Sequence, residues 1–330
     1  MRSTIFLSML ATFLLSLGLV RLLCSDRFAR LVLDIPNDRS LHDRPIPRTG
    51  GIGLMLAAII GWWLAGLFGL DGAVRMTALL AGVVALLFLI DDVRGLPVPV
   101  RFAAQFAAAL AFVNAAGPFS LWLSVLLILG IVWSMNLYNF MDGSNGMAGG
   151  MAVIGFGALA VAAHRVDAGD LAMLSGIVAV AAAGFLVWNF DPARIFLGDA
   201  GSIPLGFLAA VIGILGWQRG VWPFWLPGLV FAYFIIDSGL TLAKRIIHGE
   251  KPWHAHRSHY YQRLIRMGWS HKQMALAAYT LMLATASSAL LLQKAGPVTV
   301  IAALIAWALI LGILALKVDR TWRASPVRGA

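Results

Sequence analysis

Residues 76–92 read MTALLAGVVALLFLIDD, an apolar run that stops on two adjacent carboxylates, Asp91 and Asp92. A helix that is apolar all round belongs inside a large protein or a membrane, and about 20 such residues cross a bilayer. The composition decides between the two. Of 330 residues, 60% are hydrophobic and 12% charged, and the mean hydropathy is +0.85. A soluble domain averages roughly 45–50% apolar and about 25% charged residues. A soluble globular protein and a disordered chain are therefore excluded. A single cysteine, Cys24, also excludes an internal disulfide framework.

Working outward, the same criterion marks eleven candidate spans: 4–23, 51–70, 74–90, 102–117, 120–137, 147–163, 171–188, 203–217, 222–243, 274–292 and 297–316, of which 203–217 is the shortest. The first is read as a retained membrane helix, because no small-residue cleavage site follows it and Arg27 and Arg30 do. With the N-terminus outside, the inner segments 24–50, 91–101, 138–146, 189–202, 244–273 and 317–330 hold nineteen Lys and Arg, and the outer ones five. That asymmetry follows the positive-inside rule. The net charge of +10 is then topology and attraction to the inner leaflet, and it does not imply nucleic acid. The expected fold is all-α: a polytopic integral membrane protein of about 11 transmembrane helices, N-terminus outside and C-terminus cytoplasmic. No repeat, low-complexity run or linker divides residues 1–330, which form a single membrane-embedded domain.

The polar chemistry gathers on the inner side. Asp91 and Asp92 sit where the helix dipole is already negative, so a hard divalent cation would relieve both that and their mutual repulsion. The alternative is an exposed helix stop with Arg94 as counter-ion. Arg101 and Gln105 follow on the next helix, and Arg101 either meets a phosphate or snorkels to the interface. The stretch Arg44-Pro-Ile-Pro-Arg-Thr-Gly-Gly-Ile-Gly53 allows close backbone approach to a ligand, or is a stiff basic loop on the lipid. In residues 136–150, NLYNFMDGSNGMAGG, the residues Asn136, Asn139 and Asp142 recur at helical spacing. The glycines then open a turn into a helix N-terminus, with Ser144 or Asn145 as cap. Residues 196–202, FLGDAGS, repeat this logic, with Asp199 isolated among small residues and Ser202 as the expected cap. His254, His256, Arg257, His259 and Arg263 crowd one inner loop. They suit phosphate or a nucleotide, less well zinc, or lie as a basic stretch on anionic lipid.

Acids, cations and helix N-termini facing one compartment suit a polyphosphate and a divalent ion. They suit phosphoryl transfer better than permeation, which needs polar groups near the midplane. Asp237 is the main acid within a span.

The ordered set Asp91-Asp92, Asn-x-x-Asn-Phe-Met-Asp-Gly, Phe-Leu-Gly-Asp-Ala-Gly-Ser and His-x-His-Arg-x-His resembles the polyprenyl-phosphate glycosyl-1-phosphate transferases over nearly the whole chain. The wording is closer to the O-antigen-type branch, with the phospho-N-acetylmuramoyl-pentapeptide transferases more distant. The resemblance implies a reaction in the bacterial inner (cytoplasmic) membrane. A UDP-linked N-acetylhexosamine gives its sugar-1-phosphate to undecaprenyl phosphate on the cytoplasmic side and releases UMP, initiating an envelope polysaccharide. It implies Mg²⁺, with Mn²⁺ as a substitute, no nucleic-acid partner, and allows a homodimer.

Residue by residue, the resemblance implies that Asp199 is the principal metal ligand. It makes Asp91 and Asp92 an acidic pair serving the metal or the lipid phosphate, and His256 a catalytic member of a histidine loop with His254, Arg257 and His259. It implies that Asn136, Asn139 and Asp142 serve the nucleotide sugar, that Arg101 lies by the phosphates, and that Arg44 lies near the uracil. Asn145 departs from the family, where a second Asp is common, and an amide there still hydrogen-bonds a uracil or sugar edge. The competing expectation is a transporter or flippase for an anionic or lipid-linked solute. A CDP-alcohol phosphatidyltransferase is excluded because Asp142-Gly143 continues Ser-Asn-Gly.

Overall fold

The computed structural model describes residues 2–29, 32–36, 41, 44–69, 72–251 and 256–326. In chain order the helices are α1 (Arg2–Leu23), α2 (Asp26–Ala29), α3 (Gly50–Leu64), α4 (Gly72–Arg94), α5 (Val98–Ala116), α6 (Leu121–Phe140), α7 (Met147–His164) and α8 (Gly169–Asn189). They continue as α9 (Asp199–Gln218), α10 (Trp225–Val230), α11 (Ala232–Ile247), α12 (Tyr260–Arg266), α13 (His271–Leu292) and α14 (Pro297–Ala324). Two short strands, β1 (Leu33–Asp34) and β2 (Ile46–Pro47), pair antiparallel within the loop before α3.

The chain is an all-α polytopic membrane protein. Among the described residues, nine helices are long and apolar enough to cross a bilayer. All eleven expected segments are helical, but two differ in form. α3 has 15 residues, about 22 Å at 1.5 Å per residue, short of the roughly 30 Å hydrocarbon layer. It ends where Gly66 adopts φ +74°, a left-handed conformation that glycine enters at no steric cost. The ninth segment bends at Phe231 (φ −95°, ψ 14°), which separates α10 from α11. The Phe231 amide still donates to the Pro227 carbonyl (3.0 Å), so this is a kink and not a rupture.

The shortest expected span became the centre of the molecule. Residues 203–217 lie inside α9, whose apolar window is 83% buried, against 11% for α14. α9 looked short because its first turn, Asp199–Ser202, is polar and glycine-rich. The expected cap does not act as one: α9 begins after Gly198 with no side-chain cap, Ser202 lies inside it, and Pro204 follows there. α7, α8 and α9 form the core, with α4 and α6 against α9, α1 and α3 against α8, and α13 against α7. The Ser134 hydroxyl donates to the Gly206 carbonyl (2.8 Å), fixing α6 on α9. Along α14, Val298, Ile301, Ile305 and Leu309 are exposed, as a lipid-facing helix requires. This packing gathers the C-termini of α4 and α6 and the N-termini of α5 and α9, and the polar residues sit there.

Candidate active site

The site is built around the start of α9. Asp92 Oδ1 accepts the Asp199 amide (3.2 Å) and Oδ2 the Ala200 amide (2.9 Å). Asp92 thus reaches across from the end of α4 to satisfy two otherwise orphaned donors of α9. Arg48 completes the grip, with Nε 3.1 Å from Asp92 Oδ1 and Nη2 on the same oxygen. The Asp92 side chain is 1% exposed, so these are charge-assisted bonds shielded from water. Burial opposes the charge on Arg48, but Asp92 beside it more than offsets this and holds the guanidinium above its ordinary value.

Backbone bonds place Arg48. The Phe196 amide donates to the Pro47 carbonyl (2.7 Å), and the Gly50 and Gly51 amides donate to the carbonyls of Phe196 (2.9 Å) and Leu197 (2.8 Å). The two glycine-rich loops are pressed together so closely that a Cβ on Gly51 would collide with the Gly201 backbone. Gly50 and Gly51 thus let one loop approach the other, a use that the spacing in the sequence did not suggest. Gly198, at φ +72°, must also be small, because a Cβ there would meet the Arg48 carbonyl and lie 2.9 Å from Asp92 Oδ2.

This arrangement leaves the Asp199 carboxylate half-buried and, among the described residues, without a hydrogen bond. Asp142 lies just past the end of α6, also half-buried. Its carboxyl is held well above the usual carboxylate range, first by burial and then by the charges of Asp199 and Asp92. Asn139 is tied to α9, its Oδ1 accepting from the Ser202 hydroxyl (2.8 Å). Asn136 faces α5, its Nδ2 2.7 Å from Gln105 Oε1. Asp91 accepts the Leu96 amide (2.6 Å), while its Oδ2 is buried with no hydrogen-bond partner and Arg101 Nη1 stands 3.6 Å away.

Among the described residues, no three His, Cys, Asp or Glu side chains are grouped to hold a metal ion. The expected ligand set Asp91, Asp92 and Asp199 does not converge as a cage, because Asp92 is occupied by Arg48 and the α9 amides. The groups that fit a cation are the free carboxylate of Asp199 and the repelled carboxyl of Asp142.

Neither Ser144 nor Asn145 caps α7, which begins after Gly146 with no side-chain cap. Ser144 lies 3.0 Å from His271 Nδ1, and Asn145 donates to Asp191 Oδ1 (2.8 Å). Asn145 and Arg44 come together in one open pocket of about 590 Å³, which Cys24, Pro192 and Arg194 also line.

His254 lies outside the described residues. His259 is 2% exposed, with Nδ1 3.2 Å from Asp237 Oδ1. Asp237 also accepts the amides of Tyr260 and Tyr261 (both 3.0 Å), so the acid within a span caps α12. The Tyr261 hydroxyl donates to the Phe140 carbonyl (3.0 Å), fixing α12 beside the loop that carries Asp142. The His256 ring stands 4.9 Å from the His259 ring. Burial, then His259 and Arg245, push the His256 imidazole down to about 4. Arg257 is half-buried and set near Arg266, whose guanidinium is lowered by burial and then by Arg257.

Reasoning along the sequence missed Arg48, singling out Arg44 from the same loop. A signal was present, since Arg48 stands next to the residues that lead into α3. It also missed His271 and Asp191, which no motif contained.

A family model described as glycosyl transferase family 4 matches residues 73–217, the stretch from Asp91 to Asp199 included. A probable undecaprenyl-phosphate N-acetylglucosaminyl 1-phosphate transferase of Bacillus subtilis (strain 168) is 30% identical over 281 residues, 80% of this chain and 78% of its own length. A decaprenyl-phosphate N-acetylglucosaminephosphotransferase of Mycobacterium tuberculosis (strain ATCC 25618 / H37Rv) is 30% identical over 306 residues, 79% of this chain and 75% of its own. A phospho-N-acetylmuramoyl-pentapeptide-transferase of Staphylococcus saprophyticus is 25% identical over 309 residues, 84% and 95% of the two chains.

Proposed function

The chain belongs to glycosyl transferase family 4, and from that premise we propose that it transfers an N-acetylhexosamine-1-phosphate from a UDP-sugar to undecaprenyl phosphate at the cytoplasmic face of the inner membrane. The product is the first lipid-linked sugar of O-antigen or another envelope polysaccharide. The observation that carries this reading is the α9 start: a carboxylate left free at Asp199, beside Asp142, on a helix end that Asp92 and Arg48 hold rigid.

The acceptor phosphate is already an anion. Its oxygen attacks the phosphorus that bears the sugar, a new P–O bond forms, and the bond to the UMP oxygen breaks. The barrier is the meeting of anions and the charge gathering on UMP. Asp199 and Asp142 would hold a Mg²⁺ or Mn²⁺, which offsets charge on the diphosphate when bound. Asp92 and Arg48 position Asp199. Arg101, next to Asp91, supplies a fixed positive charge for the phosphates. Asn136 and Asn139 are braced by Gln105 and Ser202, and with Asp142 they line the approach of the nucleotide sugar. Arg44 and Asn145 flank the pocket that suits the uridine. His256 and His259, close to Phe140, border the phosphates from the α12 side, with His256 neutral; Arg257 and His254 belong to the same loop.

The prenyl tail fits an apolar groove of about 420 Å³ between α6, α9, α10 and α11, lined by Leu126, Trp133, Leu137, Ile214, Trp217 and Phe231. Asp237, the main acid within a span, is spent on α12, which adds to the scarcity of mid-membrane charge that weighs against a transporter. The orientation rests on the nineteen-to-five charge asymmetry, and a homodimer is compatible with the fold.

The test is UMP release by purified protein given undecaprenyl phosphate and a panel of UDP-N-acetylhexosamines, with Mg²⁺, Mn²⁺ or EDTA. Metal-dependent release with one donor is expected and names the sugar. Metal-independent release overturns the roles given to Asp199 and Asp142. Uptake or flipping in liposomes without UMP release overturns the reaction.

A further inference from the structure

The pocket shared by Arg44 and Asn145 is walled by residues 44–47, by Asn145 and by Pro192, Ala193 and Arg194, and a residue outside every motif ties together the chain beside the first two walls. His271 Nε2 lies 2.9 Å from the Leu41 carbonyl oxygen, and its Nδ1 lies 3.0 Å from the Ser144 hydroxyl. A carbonyl only accepts, so Nε2–H donates to Leu41, and Nδ1 shares a hydrogen bond with the Ser144 hydroxyl, which can donate or accept. Leu41 is three residues from Arg44, and Ser144 is next to Asn145. We propose that His271 is a positioning residue that clasps these two loops and holds Arg44 and Asn145 at the separation a nucleotide needs. This inference rests on the nucleotide-sugar reading of the pocket.

The base of the clasp is fixed in advance. His271 is the first residue of α13, and a capping box secures that helix start. The Gln273 amide donates to Ser270 Oγ (3.1 Å), and the Ser270 amide donates to Gln273 Oε1 (3.0 Å). Two orphaned donors are thereby satisfied and the first turn is held. The loops each lean on the 189–198 segment as well: Asn145 on Asp191 (2.8 Å), Gly146 on Asn189 (3.0 Å), and Pro47 on Phe196 (2.7 Å). His271 adds a direct link between Leu41 and Ser144, so its loss loosens their spacing while the shared support keeps both walls seated. Because His271 touches no reacting group, its loss should weaken donor binding and leave the chemistry alone.

Two variants separate positioning from bulk. His271→Leu keeps a comparable volume and removes both bonds; His271→Gln keeps a donor and an acceptor on one amide. The expected result for His271→Leu is a KM for the UDP-sugar raised about tenfold, with kcat within about twofold and the KM for the polyprenyl phosphate unchanged. His271→Gln should recover most of the loss. Ser144→Ala should reproduce it, and adding it to His271→Leu should cost nothing more, the signature of a shared contact.

A readout independent of turnover comes from Cys24, the chain's one cysteine, which lines the same pocket. Its alkylation by a maleimide, without substrate, should run severalfold faster in His271→Leu and Ser144→Ala than in the wild type or His271→Gln. Wild-type donor KM and wild-type Cys24 reactivity in folded His271→Leu or Ser144→Ala would overturn the clasp. So would a fall in kcat alone. Should the wild type turn over no UDP-sugar, the functional reading fails, and the Cys24 rates still decide whether the clasp exists.

Discussion

The starts of α9 and α12 are built alike and serve differently. In each, a carboxylate from a neighbouring helix accepts two successive backbone amides and holds a basic side chain. Asp92 takes Asp199, Ala200 and Arg48; Asp237 takes Tyr260, Tyr261 and His259. At α12 nearly everything is spent internally. Tyr261 reaches Phe140, and Tyr260 meets Lys244, which pairs with Asp319 on α14. At α9 the same device leaves the carboxylate of Asp199 unsatisfied and sets Asp142 beside it. The two starts differ in what they leave over: at α12 the positioned residues are satisfied by neighbours, and at α9 the positioned carboxylate is not.

The largest effect tests that distinction at Asp199. Asp199→Asn should lower transfer at least about 10³-fold, the scale of losing a principal electrostatic element, while the protein inserts and melts as the wild type does. Near-normal UMP release in that variant would remove Asp199 from the centre.

The next pair sets the two caps against each other. Asp92→Asn and Asp237→Asn each leave buried donors poorly matched, so both should lose about 2 kcal/mol of stability, read by thermal unfolding in detergent. Only Asp92→Asn should also lose about 10²-fold in kcat, because only it displaces Asp199. Equal losses of activity at equal stability would erase the difference drawn between the helix starts.

A smaller effect is expected at Asn145. Its amide donates to Asp191, so Asn145→Asp would set two carboxylates side by side. The KM for the UDP-sugar should rise about fivefold, roughly 1 kcal/mol. Adding Asp191→Asn should restore it. The family's more common Asp is thus expected to be harmful here until its neighbour changes. An unaltered KM in Asn145→Asp would mean that the pocket is indifferent to charge on the α9 side.

The spans were legible because apolar length is written along one chain, and so was the gathering of Asp91, Asp92, Asp142 and Asp199 at one end of the helices. What the sequence hid were partnerships between distant segments. Asp92 caps a helix that begins 107 residues later, and no local spacing announces that. The glycines of 50–53 and 198–201 were read as space for a ligand, and Gly51, Gly198 and Gly201 also serve the close approach of the two loops. α9 was underestimated because hydropathy discounts its polar, glycine-rich first turn. Arg44 and Arg48 are alike as letters; only the pairing of Phe196 with Pro47 aims Arg48 at Asp92.

The smallest effect concerns the α12 side, where the histidine loop was expected to meet phosphates. In the folded protein burial, His259 and Arg245 hold the His256 imidazole down to about 4, against about 6.5 in an unfolded chain. Between those values the unfolded chain binds a proton that the folded one refuses. Stability should therefore be full above about pH 7 and fall as the pH drops toward 4. With its partial exposure discounted, the loss at pH 5 is about 1 kcal/mol. His256→Gln lacks the group, so in the absence of substrate its melting temperature should gain on the wild type as the pH falls from 7 to 5. If the two melt in parallel, His256 takes up its proton as an ordinary imidazole. The α12 side would then present a cation to the phosphates near pH 6, and the contrast between a spent helix start and an open one would narrow.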